Sequence, residues 1–102
     1  MNIKTFCRRA DDVARLMKTL ANPHRLMIVC RLREGPCCVG ALQDIVGLQQ
    51  SALSQHLARL RRDGLVKTRR DAQTITYSLA DARTAKLMQT LFALYCDKGA
   101  SL

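Results

Sequence analysis

Residues 49–77, QQSALSQHLARLRRDGLVKTRRDAQTITY, leave this chain few folds to choose from. The first half has the period of a helix. With Leu53 as the origin of a helical wheel at about 100° per residue, Leu57 and Leu60 fall within about 40° of it, a narrow apolar seam of the i, i+4, i+7 kind. Ser51, Gln55, Ala58, Arg59 and Arg62 fall on the far side. That outer face is small where another surface must come close. It also carries Gln and Arg, which pair bidentately with adenine and guanine in the major groove. An ordinary solvated helix would show the same seam, so the residues that follow decide. Gly64 stands at the C′ position, where a left-handed backbone is wanted. Residues 65–70 and 74–79 are rich in β-formers with period-two alternation, joined by Asp71-Ala72-Gln73. Lys67, Arg69 and Arg70 gather at or near the tip of that hairpin, beside Thr68, Gln73 and Thr74. A reading helix followed by a basic hairpin is the order of a winged helix-turn-helix. The helix enters the major groove and the wing lies along phosphates or in the minor groove.

The charge agrees. Seventeen Lys and Arg against eight Asp and Glu give a net charge of +9 and a pI near 10.0. That balance points to a polyanion, nucleic acid first and an anionic membrane surface second. No apolar run reaches the roughly 18 residues of a membrane span, so no membrane partner is expected. The 102 residues suit one domain, residues 1–102, and 48% hydrophobic residues suffice for a core. The opening MNIKTFCRRADD lacks the apolar stretch of a signal peptide. Cys7, Cys30, Cys37, Cys38 and Cys96 are therefore expected in a reducing cytoplasm, as free thiols, redox sensors or metal ligands rather than structural disulfides.

Around the central stretch the elements follow in order. Phe6, Ala10, Val13, Leu16, Met17 and Leu20 predict a first helix over roughly 5–20. Asn22-Pro23 opens a second, with Asn as N-cap and Pro at the first helical position, and Gly35-Pro36 ends it. Residues 39–46 make a short third helix closed by Gly47, with Cys37 and Cys38 in the connection before it or at its start. Asp81 caps a last helix from 82 to about 96. Leu87, Met88, Leu91, Phe92, Leu94 and Tyr95 form a stripe on that helix wider than its own core needs, which suggests a partner. The expected architecture is mainly α with a β-hairpin wing, in the order α-α-α-α-β-β-α. Met17, Met27 and Met88 fit core stripes, and Arg15, Lys18, Arg25 and Arg83 fit solvated faces.

Residues 51–66, SALSQHLARLRRDGLV, together with Asn22-Pro23-His24-Arg25-Leu26 and Tyr77-Ser78-Leu79, resemble the ArsR/SmtB family of bacterial repressors over roughly residues 10–97. The resemblance implies a homodimeric winged-helix repressor, joined through its first and last helices and bound to an inverted-repeat operator in double-stranded DNA. Gln50, Ser51, Ser54, Gln55, His56 and Arg59 are its expected contacts on the helix, and Lys67, Arg69, Arg70 and Gln73 those on the wing. The family's metal-sensing patterns are broken here. The position of its Cys-Val-Cys motif reads Cys38-Val39-Gly40, and the last helix has no histidine. Soft thiolates at Cys37 and Cys38, with Cys7, remain an alternative metal or metalloid site. A two-cysteine subgroup matches better. Its members carry one cysteine in the second helix and one at the end of the fifth, here Cys30 and Cys96. The resemblance implies that persulfides or oxidants link this pair through a disulfide or a longer sulfur bridge, and that DNA affinity then falls. The residues alone also allow Cys30 to be an inert core thiol, since it sits close to Leu26 on the apolar side.

Catalysis has no support in the sequence. Cys-x-x-Cys, a phosphate loop, a nucleophile elbow and a carboxylate pair are all missing, and no cofactor is implied. His56 flanks the apolar seam, where a half-buried structural histidine is the expected reading. His24, behind Pro23, is expected to pack or cap. A nucleoid- or RNA-binding protein would need the charge but not an outer helix face set for base edges.

Overall fold

A computed structural model describes residues 2–96. Eight elements follow one another: α1 (Ile3–Leu20), α2 (Pro23–Arg33), β1 (Cys37–Cys38), α3 (Val39–Val46), α4 (Gln50–Arg62), β2 (Val66–Asp71), β3 (Thr74–Leu79) and α5 (Ala82–Tyr95). The caps explain the helix starts. Asn2 accepts from the backbone N–H groups of Lys4 and Thr5, so α1 begins earlier than its apolar spacing suggests. Asn22 does the same for His24 and Arg25 ahead of Pro23, and Asp81 for Arg83. Gly47 closes α3 at φ 76°.

The end of α4 is set by its glycine. Gly64 takes φ 80°, its N–H donates to Arg61 O, and the Leu65 N–H reaches back to Leu60 O at 2.9 Å. This pair of bonds is a Schellman stop, and it turns the chain directly into β2. β2 and β3 pair antiparallel from Val66 opposite Leu79 to Asp71 opposite Thr74, leaving a two-residue turn at Ala72-Gln73. Ala72 carries that turn at φ 54°, a left-handed conformation unusual for a residue with a side chain. Asp71 thus belongs to the strand rather than the connection.

The sequence reading lacked one element. Cys37 and Cys38 pair with Tyr77 and Thr76, adding a short strand to a three-stranded sheet of order β1-β3-β2. The wing is thereby tied to the start of α3.

Leu53, Leu57 and Leu60 are fully buried, as the wheel predicts, and pack into one apolar cluster with Ile28, Val29, Leu32, Leu42, Val46, Leu65 and Met88. Met17 and Met27 do not join it. They are 48% and 41% exposed, so of the three methionines assigned to core stripes only Met88 lies in the core. On α1 the buried residues are Thr19 and Leu20, at its last turn. On α5, Phe92, Leu94 and Tyr95 are exposed. Among the described residues, no helix is long and apolar enough to cross a membrane.

Candidate nucleic-acid interface

Burying the leucine seam of α4 turns the opposite face outward. Gln50, Ser51, Ser54, Gln55, Ala58 and Arg62 are all exposed. α4 follows α3 after the turn Gly47-Leu48-Gln49, the short glycine-bearing connection of a helix-turn-helix. Its N-cap, Gln49, makes no side-chain hydrogen bond to the first turn. An α-helix gives its first-turn N–H groups no internal acceptor, so those of α4 are left for another acceptor.

The wing presents its cations on the same molecule. Lys67, Arg69, Arg70 and Gln73 are exposed, while Val66 on the same strand is buried. Arg69 lies 3.2 Å from Asp71, and Arg70 donates to Ala72 O at 3.3 Å. Both contacts are solvated and weak, so either guanidinium can exchange its partner for a phosphate at little cost.

Arg59 and His56 sit differently from their neighbours on α4. Both are half-buried. Arg59 Nε donates to Asp63 Oδ2 at 2.8 Å, with 32% of its side chain and 17% of the aspartate's exposed. The same carboxylate oxygen accepts from Thr19 Oγ1 of α1 at 2.6 Å. These bonds, Thr19's first and Arg59's second, hold the Asp63 carboxyl down to about 2. Arg25 is not a solvated cation. Its Nε donates to Thr19 O at 2.6 Å, and its Nη1 lies 3.4 Å from His56 Nδ1. Because a guanidinium can only donate, His56 Nδ1 is the acceptor and the proton of the neutral ring is on Nε2. Burial, then the Arg25 charge, then His24 push the His56 pKa down, and the His24 ring lies 5.7 Å away, centroid to centroid. One polar network therefore joins the last turn of α1, the first turn of α2 and the C-terminal half of α4. Sequence reasoning missed Thr19 and Asp63 as parts of this surface. The visible signal was Asp63, four residues after Arg59 on one helix.

The cysteines divide into three settings. Cys7 is exposed on α1. Cys37 is buried and Cys38 exposed, as consecutive strand residues on opposite faces must be, so their side chains diverge rather than converge on one ion. Among the described residues no group of three or more His, Cys, Asp or Glu could hold a metal. Cys30 is half-buried on α2, and Cys96 is exposed at the C-cap of α5. The two helices pack together, with the Arg33 guanidinium 5.1 Å from the centre of the Phe92 ring. Cys30 precedes Arg33 by about one helical turn and Cys96 follows Phe92 by about one turn.

Comparison with known proteins places this geometry. Residues 22–68 match a family model described as bacterial regulatory protein, arsR family. The biofilm growth-associated repressor of Xylella fastidiosa is 46% identical over 91 residues, 89% of this chain and 80% of that protein. The transcriptional activator HlyU of Vibrio cholerae is 44% identical over 97 residues, 95% of this chain and 90% of the relative. The crystal structure of the transcriptional repressor BigR from Xylella fastidiosa superposes with a TM-score of 0.90 at 44% identity, covering 94% of this chain and 98% of that one.

Proposed function

The chain belongs to the arsR family of bacterial regulatory proteins, a family of DNA-binding transcription regulators rather than enzymes, and from that premise we propose that it is a homodimeric repressor of an inverted-repeat operator, switched by reactive sulfur species through Cys30 and Cys96. The observation that carries the DNA-binding part is the exposed face of α4, opposite a fully buried leucine seam and beside a wing with three exposed cations. Ser51, Ser54 and Gln55 read base edges there. Gln50 and the free N–H groups of the first turn meet a phosphate. Lys67, Arg69, Arg70 and Gln73 hold the wing to the backbone.

The dimer is supported by apolar surface with no partner in the monomer. Ile3, Phe6 and Met17 of α1 and Phe92, Leu94 and Tyr95 of α5 are exposed. An open groove of about 550 Å³ between these helices is floored by Val13, Leu16, Leu65 and Leu87. The radius of gyration, 14.8 Å, exceeds the value of about 13 Å for a closed domain of 100 residues, and α1 is exposed from Ile3 to Asp12. Pairing two such chains sets the α4 helices about 34 Å apart, one turn of DNA.

The switch is supported by the packing of α2 on α5 near both thiols. One thiolate takes the outer sulfur of a low-molecular-weight persulfide and releases the parent thiol. The second cysteine then attacks the inner sulfur of the protein persulfide. That forms a Cys30–Cys96 disulfide and expels hydrosulfide, so the persulfide's outer sulfur is the oxidant. The exposed thiol of Cys96 is open to such a reagent. The link strains the α2–α5 contact and alters the spacing of the two α4 helices.

Selection of bound duplexes from a random DNA library tests the proposal. The reduced protein is expected to return an inverted repeat with half-sites about one turn apart, occupied by two chains. Enrichment of no motif, or of a single half-site bound by one chain, contradicts it.

A further inference from the structure

We infer that the bond between the Thr19 hydroxyl and Asp63 is a positioning device for DNA reading: it fixes the angle of α4 against the last turn of α1. The inference rests on the DNA-binding reading above. The leucine seam buries α4 but does not orient it, since apolar contact is non-directional and tolerates small rotations. Directional bonds set angles. Among the described residues, two side-chain hydrogen bonds join α4 and its cap to other helices: Arg25 to His56 near its middle, and Thr19 to Asp63 at its C-terminal end. The second is the shorter, 2.6 Å against 3.4 Å, and has a charged acceptor.

Thr19 does not need Asp63 to satisfy its hydroxyl. It is 1% exposed, and Arg15 O lies 3.1 Å from the same oxygen. The hydroxyl has one hydrogen, and its stronger bond goes to the nearer, charged acceptor. A hydroxyl that needed only an acceptor would bond back within its own helix, as that of Thr90 does to Lys86 O. Here the nearest acceptor belongs instead to the reading helix, 44 residues away in sequence.

The lever is long. Gln55 stands about 12 Å along the helix from Asp63, so a tilt of about 5° around that end moves this base reader by roughly 1 Å. That displacement exceeds what a bidentate base contact tolerates. Arg59 belongs to the same device. Its Nε holds the shared carboxylate from within α4, which makes Arg59 a positioning residue before it is a base reader.

Thr19→Val keeps shape and burial while removing the hydroxyl, and Thr19→Ser retains it. Binding of each to the inverted repeat selected by the wild-type protein, and to a scrambled duplex of the same length, separates the outcomes. Thr19→Val is expected to lose about tenfold or more on the selected repeat, to stay within about twofold on the scrambled duplex, and to keep its salt slope. Thr19→Ser is expected to restore the preference. Unchanged affinity for the repeat overturns the positioning role, as does an equal loss on both duplexes, which marks damage to the fold. A wild-type protein that fails to discriminate the duplexes overturns the functional reading instead.

Discussion

Replacing Asp63 with Asn should remove a specific part of this protein's acid sensitivity. The carboxyl is lowered from 3.8 to about 2 by the Thr19 hydroxyl and the Arg59 guanidinium. At about 1.4 kcal/mol per pH unit that depression corresponds to roughly 2 kcal/mol of folding stability. With 17% of the side chain exposed, solvent screening brings it to between about 1 and 2 kcal/mol. The sign follows from the direction. A carboxyl held below its ordinary value takes up its proton later in the folded chain than in the unfolded one. Its contribution is therefore complete well above 3.8 and is lost as pH falls from there towards 2. Urea unfolding followed by circular dichroism, at one fixed protein concentration and at several pH values between about 6 and 2.5, gives the stability of both proteins. Asp81, also held down by its Arg83 hydrogen bonds, titrates in both and cancels in the comparison. The difference between wild type and Asp63→Asn should shrink by about 1–2 kcal/mol on acidification. Parallel pH curves for the two proteins would refute the reasoning, because they would mean that the carboxylate gains nothing from its partners on folding.

Three further predictions concern the DNA face and the thiols. Gln55→Ala should reduce discrimination at a single base pair by about 1–3 kcal/mol, measured by titrating operators that differ at that position, and an unchanged preference would remove Gln55 from the readers. Lys67→Ala should weaken binding to all duplexes alike and lower the slope of log affinity against log salt by about 1; a sequence-dependent effect would place Lys67 on a base instead. Cys30→Ser and Cys96→Ser should each bind the operator normally and stay bound in glutathione persulfide, whereas wild type dissociates with loss of two hydrogens at a Cys30–Cys96 peptide pair; release of either variant would count against the dithiol switch.

The fold was legible where local chemistry and global packing agree. The seam of Leu53, Leu57 and Leu60, the glycine stop at Gly64, the third helix and the second wing strand could all be read from spacing and turn residues, because each depends on neighbours in sequence. The strand at Cys37-Cys38 could not. Two residues carry no period, and their pairing with Tyr77 and Thr76 exists only once the wing folds back. Apolar spacing also says that a face will be covered, not by what. Phe6 and Met17 of α1 keep helical spacing yet stand outside the core. On the DNA face, the outward residues followed from the wheel. Arg59 did not, because at about 120° from the seam it sits on the boundary, where one aspartate decides whether it points to solvent or is held. Thr19 was the least visible, since nothing in a helix's last turn announces a bond to a residue 44 positions away.

The central claim is sequence-specific reading by α4, and affinity for the selected inverted repeat and for a scrambled duplex, measured side by side across a salt series, tests it most directly. A reading protein loses affinity for both duplexes as salt rises, with the repeat remaining preferred by about 10³-fold or more throughout. Two titrations that coincide at every salt concentration would show that the charge of +9 alone binds the DNA, and would contradict the account.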